Sequence, residues 1–323
     1  MDKSTKILKR LELLHPKKID LSLKRLIILL KKLDNPHLKL SPVIHVAGTN
    51  GKGSVTSFLR AIFEFSSYKV HTYTSPHLIN FNERIRINSK LIKNHHLSAL
   101  LEECEYYNKG DEITFFEITT AAAFLAFSRI ESDVILLETG LGGRFDATNV
   151  VENKICSVIT PISMDHMNFL GSTIERIATE KLGILKNSKQ IVLSKQFPVV
   201  RKLARVEAKR MKIKLFEEGF DWKIREKDFM KKNFSMYFEQ TNYNFNFPKL
   251  FGEHQIDNAS TAIATVLSLR KRNILKKNIN QGILSADWPA RMQNLKNGNL
   301  SSYMGQNFEI WLDGGHNLEA SNI

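Results

Sequence analysis

A chain of 323 residues with 42% hydrophobic and 25% charged content has material for a sizeable core, as two domains or one large one, which excludes a disordered or fibrous protein. Its net charge of +14 rests on lysines scattered along the whole length, so it reads as a solvated surface suited to anionic small molecules and not as a nucleic-acid patch. Cys104 and Cys156 form no C-x-x-C pair, which excludes a disulfide scaffold and predicts idle thiols in a reducing cytoplasm.

From the N-terminus, Met1 to Leu14 mixes Lys, Arg, Glu and Leu at helical spacing without the apolar core of a signal peptide. Ile19 to Leu23 introduces a helix with the stripe Leu23, Leu26, Ile27, Leu30 and Leu33, for which Asp20 or Ser22 is a candidate N-cap. The apolar run Leu26 to Leu30 is too short to span a bilayer, so no membrane is expected. Val43 to Ala47 then reads as a strand ending in Gly48-Thr49-Asn50-Gly51-Lys52-Gly53-Ser54, and Val55, Phe58, Leu59 and Ile62 recur at helical spacing after it. Strand, glycine loop and helix in that order make a phosphate cradle. Backbone N–H groups and the helix N-terminus face the anion, and Lys52 adds a full charge. The common loop G-x-x-x-x-G-K-[ST] has Gly where this chain has Val46, and Gly53 separates Lys52 from Ser54, so the loop is a variant. The alternative is a glycine-rich surface turn, and the register of strand, lysine and helix argues against it.

A short strand from Lys69 to Tyr73 leads to Thr74-Ser75-Pro76-His77-Leu78, where Pro76 breaks any continuation. Helical patterns cover Leu97 to Tyr107 and Glu117 to Arg129. Asp133 to Glu138 is a buried-type strand ending on a carboxylate, followed by Gly140 to Asn149. Strand Ile155 to Thr160 leads to Asp165-His166, and Ser172 with Glu175 has capping-box spacing for a helix reaching Lys181. Strand Ile191 to Ser194, helix Pro198 to Lys212 and strand Ile213 to Phe216 complete an alternating series. Such alternation predicts an α/β fold with a mostly parallel sheet and helices on both faces. Period-2 patterns at Phe234 to Phe238 and Tyr243 to Phe247, around Gln240-Thr241-Asn242, add a small antiparallel β region. A helix from Asn258 to Arg270 follows, and Phe308 to Asp313 reads as a final strand.

In open α/β sheets ligands collect beyond the carboxyl ends of strands, and here those ends carry the phosphate loop, Ser75 and His77, Glu138, and Asp165 and His166. Hydroxyl, carboxylate and imidazole groups beside a triphosphate suggest a divalent cation. Singly, Glu138 could cap a helix, His166 could be a core histidine and Ser75 could stabilise a turn.

The segments Gly48 to Ser54, Thr74 to Leu78, Gly140 to Asn149 and Glu180-Lys181-Leu182-Gly183-Ile184 resemble the folylpolyglutamate synthase/dihydrofolate synthase family of the Mur ligase superfamily, from about Ile19 to Asn317. Leu141-Gly142-Gly143-Arg144 and Ser75-Pro76-His77 favour this branch over ligases of cell-wall precursors. The resemblance implies an ATP-dependent ligase that phosphorylates a carboxylate of dihydropteroate or a folate and passes the acyl group to L-glutamate. ATP is the co-substrate, Mg²⁺ the cofactor, and no nucleic acid or membrane takes part in what is expected to be a cytoplasmic monomer. By position, Asn50, Gly51, Lys52, Gly53 and Ser54 would hold ATP phosphates, with Asn258, Arg291 and Asp313 adding nucleotide contacts. Ser75, Glu138, His166 and Lys181 would bind Mg²⁺, and Lys52, Lys181 and His166 are the implied catalytic residues. Lys181 matches a lysine that the family carboxylates; unmodified, it would be a phosphate-facing or surface lysine. The pterin would lie among Asp20, Leu21, Ser22 and Leu23, then Thr114, Phe115, Phe116 and Glu117, and Phe145, Asp146 and Ala147. Asp20 and Asp146 suit its donor edge, and Phe115, Phe116 or Phe145 its face.

Ala290 stands where the family usually has Gly, and no proline follows Asn317. The family continues into a further α/β domain, so the expected organisation is an ATP-binding domain over 1–296 and the start of a truncated glutamate-ligase domain over 297–323, largely missing. Two other classes stay open: a different P-loop NTPase, and a truncated remnant that binds ATP or pterin without ligase turnover.

Overall fold

A computed structural model describes residues 3–15, 19–271, 273–296, 299–304 and 308–321. In chain order the elements are α1 (Lys3–Leu11), α2 (Lys24–Lys32), β1 (Val43–Ala47), α3 (Lys52–Phe65), β2 (Val70–Tyr73), β3 (Ile85–Ile87), β4 (Lys90–Leu91), α4 (Asn94–Asn108), α5 (Phe115–Arg129) and β5 (Val134–Glu138). They continue as β6 (Lys154–Ile159), α6 (Met167–Leu170), α7 (Ile174–Leu182), β7 (Gln190–Leu193), α8 (Pro198–Met211), β8 (Lys214–Glu217), β9 (Trp222–Asp228), β10 (Asn233–Phe238), β11 (Thr241–Asn246), α9 (Glu253–Ser268) and α10 (Lys276–Ser285). Two short strands, β12 (Gln293–Asn294) and β13 (Trp311–Leu312), follow.

The main sheet has the order β4-β3-β2-β5-β1-β6-β7-β8. Its six strands from β2 to β8 are parallel, and β3 and β4 close one edge antiparallel, as the βαβ alternation predicts. Both faces are covered, which is why the strands read as continuous apolar runs. In β5, Val134 and Leu136 face the cluster built by α3, α9, α10 and the small sheet, while Ile135 and Leu137 face α1, α2, α4 and α5. Helices α7 and α8 cover the remaining area over Ile159, Ile191 and Leu193. Central β1 therefore has β5 on one side and β6 on the other, and the three carboxyl ends meet at one crevice. Among the described residues no helix is long and apolar enough to cross a membrane.

Several expectations need correction. In α2 the buried residues are Leu26, Leu29 and Leu30, and Ile27 is 47% exposed, because the helix meets α4 and α5 along a face rotated from the predicted stripe. Leu23 is its N-cap and has no side-chain bond; Ser22 Oγ accepts from the Lys24 amide, and Asp20 pairs with Arg25. Thr173, not Ser172, caps α7 by accepting from the Arg176 amide. The antiparallel region has three strands, since β9 precedes the hairpin, and its turn is Glu239-Gln240, with φ of 40° and 71°. The final strand is only Trp311–Leu312, shorter than the expected Phe308 to Asp313, and it pairs antiparallel with Gln293–Asn294. Residues 297, 298, 305–307, 322 and 323 of the expected second unit lie outside the described residues.

Candidate active site

The phosphate loop is held by close backbone approach. A Cβ on Gly48 would lie 1.9 Å from Thr160 Oγ1, so only glycine lets the end of β1 pass against the end of β6. The Thr49 amide donates to the Pro161 carbonyl at 2.9 Å, and the Thr49 hydroxyl donates to the Ser163 carbonyl at 3.1 Å. Gly51, with φ of 82°, is the N-cap of α3 and lies under Asn258, whose Oδ1 would be 2.4 Å from an added Cβ. Gly53 packs under Trp288. Ser54 is buried, and its Oγ has no partner.

Two lysines converge on this loop. Lys52 Nζ donates to the carbonyls of Gly48 and Thr49 at 3.2 and 3.1 Å, and Lys181 Nζ, from the last turn of α7, donates to the same Gly48 carbonyl at 2.7 Å. Lys181 is only 3% exposed, and burial, reinforced by the Lys52 charge, lowers its pKa to about 7. Across the crevice Glu138 is 4% exposed, and its Oε2 has no hydrogen-bond partner. Burial raises its pKa to about 7, against the opposing pull of Lys52, the Ser75 backbone and Arg291. Ser75 sits half-buried on the loop after β2, before a cis proline. His166 is half exposed just beyond β6; burial holds its imidazole below the usual value, with Lys181 and Lys52 adding to the effect and Asp165 opposing it.

The residues expected on the nucleotide side also meet here. Asn50 and Asn317 exchange amide hydrogen bonds at 3.2 and 3.0 Å. The Asp313 carboxylate accepts from the amides of Met292 and Gly315, which sets it beside Arg291, whose guanidinium donates to the Ala290 carbonyl at 2.8 Å. Asn50, Gly51 and Asn258 line a cavity of about 910 Å³ together with Phe197, His254 and Asp257. Sequence reading passed over these last three. The signal for His254 was its place one turn before Asn258 on the same helix.

The second group of expected residues lies around α5. Arg25 donates to Asp20 at 2.9 Å and to Glu117 at 3.1 Å, and Glu117 with Thr114 forms a capping box for α5. Phe116 covers Gly140 and stacks on Tyr73 with centroids 6.0 Å apart, while Phe115 meets Phe81 edge-on. Leu21 packs on the same cluster as Leu141. Ser22 and Leu23 stand half-buried at the start of α2, Phe145 is 43% exposed and Ala147 is buried. Asp146 is 2% exposed, and its carboxylate accepts from the amides of Gly140, Leu141 and Thr148 and from the Thr148 hydroxyl. Any ligand contact from Asp146 adds to a network already formed.

The Gly140–Asn149 loop is locked to the helix that carries Lys181. A Cβ on Gly143 would lie 2.6 Å from the Lys181 carbonyl, and one on Gly183 2.5 Å from Arg144 Cα. The Arg144 amide donates to the Glu180 carbonyl at 2.7 Å. Buried Lys154, which no sequence pattern singled out, donates to Asn149 Oδ1 and the Ile184 carbonyl at 2.8 and 2.9 Å, fastening both segments to β6. The crevice thus joins a cationic loop, two bare buried oxygen donors and an aromatic-lined flank, a set suited to phosphoryl transfer from a nucleotide.

Comparison with known proteins agrees. Residues 46–266 match the Mur ligase middle domain. The chain is 37% identical over 303 residues to a dihydrofolate synthase/folylpolyglutamate synthase of Bacillus subtilis, covering 90% of this chain and 68% of that relative. Among solved structures it is similar to E. coli FolC in complex with DHPP and ADP, with a TM-score of 0.87 at 30% identity over 98% of this chain and 72% of that one. A Mycobacterium tuberculosis folylpolyglutamate synthase complexed with ADP gives 0.85 at 30% identity over 99% and 72%.

Proposed function

The chain belongs to the folylpolyglutamate synthase/dihydrofolate synthase family of Mur ligases, and from that premise we propose how its own residues serve the reaction. It is an ATP-dependent ligase that joins L-glutamate to dihydropteroate, to a folate, or to both. A carboxylate oxygen of the pteroyl substrate attacks the γ-phosphorus, and the bond to the β-phosphate oxygen breaks, giving an acyl phosphate and ADP. The glutamate amine then attacks the acyl carbon, loses a proton, and expels inorganic phosphate to leave the amide. No side-chain nucleophile is needed, so the protein's contribution is positioning and charge.

The observation that carries this assignment is the convergence of Lys52 and Lys181 on the Gly48 carbonyl opposite a buried Glu138 with a bare oxygen. Asn50, Gly51, Lys52, Gly53 and Ser54 would hold the ATP phosphates, and Lys52 would offset charge on the transferring group. Asn258, Arg291 and Asp313 border the nucleoside side. Asp20, Leu21, Ser22 and Leu23, with Thr114, Phe115, Phe116 and Glu117 and with Phe145, Asp146 and Ala147, form the pterin flank, where the half-buried rings supply a stacking surface.

The donor set also fits Mg²⁺, a cation of oxygen ligands, because Ser54 Oγ and Glu138 Oε2 are buried without partners. Ser75, Glu138, His166 and Lys181 would hold it, and it would supply further neutralisation of phosphate charge. An ammonium at Lys181 repels a cation. Burial leaves much of that amine neutral near pH 7, which is the form that adds CO₂ and releases a proton to become an anionic carbamate. The substrates are small molecules, the chain works as a monomer in the cytoplasm, and its buried free thiols, Cys104 and Cys156, suit a reducing compartment. Residues 1–296 form the ATP-binding unit.

The test is Lys52→Ala. Calorimetry should show ATP binding weakened at least tenfold and glutamate incorporation reduced by orders of magnitude, with the thermal melt unchanged. Unaltered ATP affinity and turnover would sink the assignment. Intact mass or labelled-bicarbonate spectroscopy on the same preparation reads the Lys181 carbamate.

A further inference from the structure

Asp165 and His166 follow β6, whereas His316 follows β13, yet the fold brings the three side chains to one point. Asp165 Oδ2 lies 3.8 Å from His166 Nε2 and 3.6 Å from His316 Nε2, and one ligand atom from each of the three residues lies within 4.8 Å of the others. The two rings are tilted by 53° with centroids 6.4 Å apart, so it is their nitrogens that converge and not their faces.

Two of the donors are aimed by a further contact. The His166 amide donates to Asp165 Oδ1 at 2.8 Å, which leaves Oδ2 turned toward the rings. His316 Nδ1 lies 3.2 Å from the Gly314 carbonyl. A proton on Nδ1 donated there leaves the lone pair on Nε2, the atom that faces Asp165. Ligating histidines use this kind of outer contact to fix their tautomer. Two ring nitrogens and a carboxylate oxygen, brought together from two separate segments, make a donor set for a single cation.

We propose that Asp165, His166 and His316 form a site for a transition-metal dication of the Zn²⁺ and Co²⁺ class, which fastens the Asp313–His316 turn to the end of β6. Two imidazole nitrogens with one carboxylate select such ions over Mg²⁺, which prefers an all-oxygen shell. Metal–ligand bonds near 2.1 Å place tetrahedral donors roughly 3.4 Å apart, so the two carboxylate-to-imidazole separations of 3.8 and 3.6 Å close by only a few tenths of an ångström. Three protein ligands leave a fourth position open to water or a phosphate oxygen. The site goes beyond the ligase reading. It shares His166 with the Mg²⁺ donors but takes its other two ligands from residues that reading does not use.

The test is spectroscopic and independent of ligase activity. The metal-stripped full chain is titrated with Co²⁺ in millimolar Mg²⁺, following the visible absorption that nitrogen-containing, low-coordinate Co²⁺ produces. One equivalent should give a visible band that excess Mg²⁺ does not remove, and the melting temperature should rise on loading. His316→Ala and Asp165→Asn, changes on two separate segments, should each weaken Co²⁺ at least tenfold. His316→Gln should do the same while retaining side-chain bulk, and His95→Ala, at an exposed histidine elsewhere, should leave the titration unchanged. A wild-type chain with no visible band, or equal Co²⁺ affinity in the Asp165 and His316 variants, would overturn the site. Because the readout is metal binding, failure of the ligase reading leaves it standing, and the reverse also holds.

Discussion

Glu138 and Asp146 are both carboxylates buried at the carboxyl end of the sheet, yet their surroundings are opposite. Asp146 accepts three backbone amides and a hydroxyl, so its charge organises the Gly140–Asn149 loop. Glu138 has a bare Oε2, and burial lifts its pKa to about 7. The contrast separates two reasons for placing an acid in an interior. An acid that shapes a loop has its oxygens filled by the chain, and one that serves a ligand keeps an oxygen free at a cost in stability.

The largest expected effect is on chemistry. Glu138→Gln should lower glutamate incorporation by roughly a hundred- to a thousandfold while the fold survives, because it removes charge where cations gather and leaves the packing almost unchanged. Full activity in that variant would break the comparison. Asp146→Ala should act on the fold instead. It orphans three amides and should cost roughly 3–5 kcal/mol in denaturant unfolding. A loss under 1 kcal/mol would mean that water replaces the carboxylate and that the loop needs no internal anchor.

The third prediction concerns pH. An acid whose folded pKa is raised to about 7 from 4.5 binds an extra proton in the folded state across that window. Its contribution therefore falls as pH rises from about 4.5 to about 7, then levels off. Glu138→Gln does not titrate, so it should match the wild type near pH 4.5 and exceed it above pH 7, by at most about 3 kcal/mol. Equal differences at pH 4.5 and pH 8 would show that Glu138 is solvated. The smallest effect should come from Asp20→Ala. That half-buried pair with Arg25 should be worth about 1 kcal/mol, because Arg25 keeps Glu117 as a partner, so melts should barely move while KM for the pteroyl substrate rises. An unchanged KM would remove Asp20 from the pterin flank.

Legibility followed the physical signal. The order of β1, loop and α3 was readable because a β-branched run, three glycines and a helical stripe are each local patterns. The parallel core was readable because Val43–Ala47, Val134–Glu138 and Gln190–Leu193 are dominated by apolar residues. The edge strands Ile85–Ile87 and Lys90–Leu91 were not, since two or three residues carry no period. Strand Trp222–Asp228 was hidden by its charges: Lys223, Arg225 and Glu226 are exposed, and Lys227 pairs with Glu253 and Asp257 of α9 beside the core that Trp222 enters. In the site, the loop residues were legible one by one, but the sharing of one carbonyl by Lys52 and Lys181 was not. Nor was the meeting of Asp165 with His316. Both depend on which segments the sheet order makes neighbours.

The glycine-to-backbone contacts at Gly143 and Gly183 set a rule for re-engineering this scaffold. At each glycine the other segment's main chain fills the space that a Cβ would need, so the loop over 140–149 and the turn over 180–185 behave as one interlocking cassette. Grafting the loop of a relative alone, or lengthening the turn by a residue, would displace Lys181 relative to the Gly48 carbonyl. Transplanted as a pair, with Asn149 and Lys154 retained as their fastening, the two should carry their relative geometry into a new host.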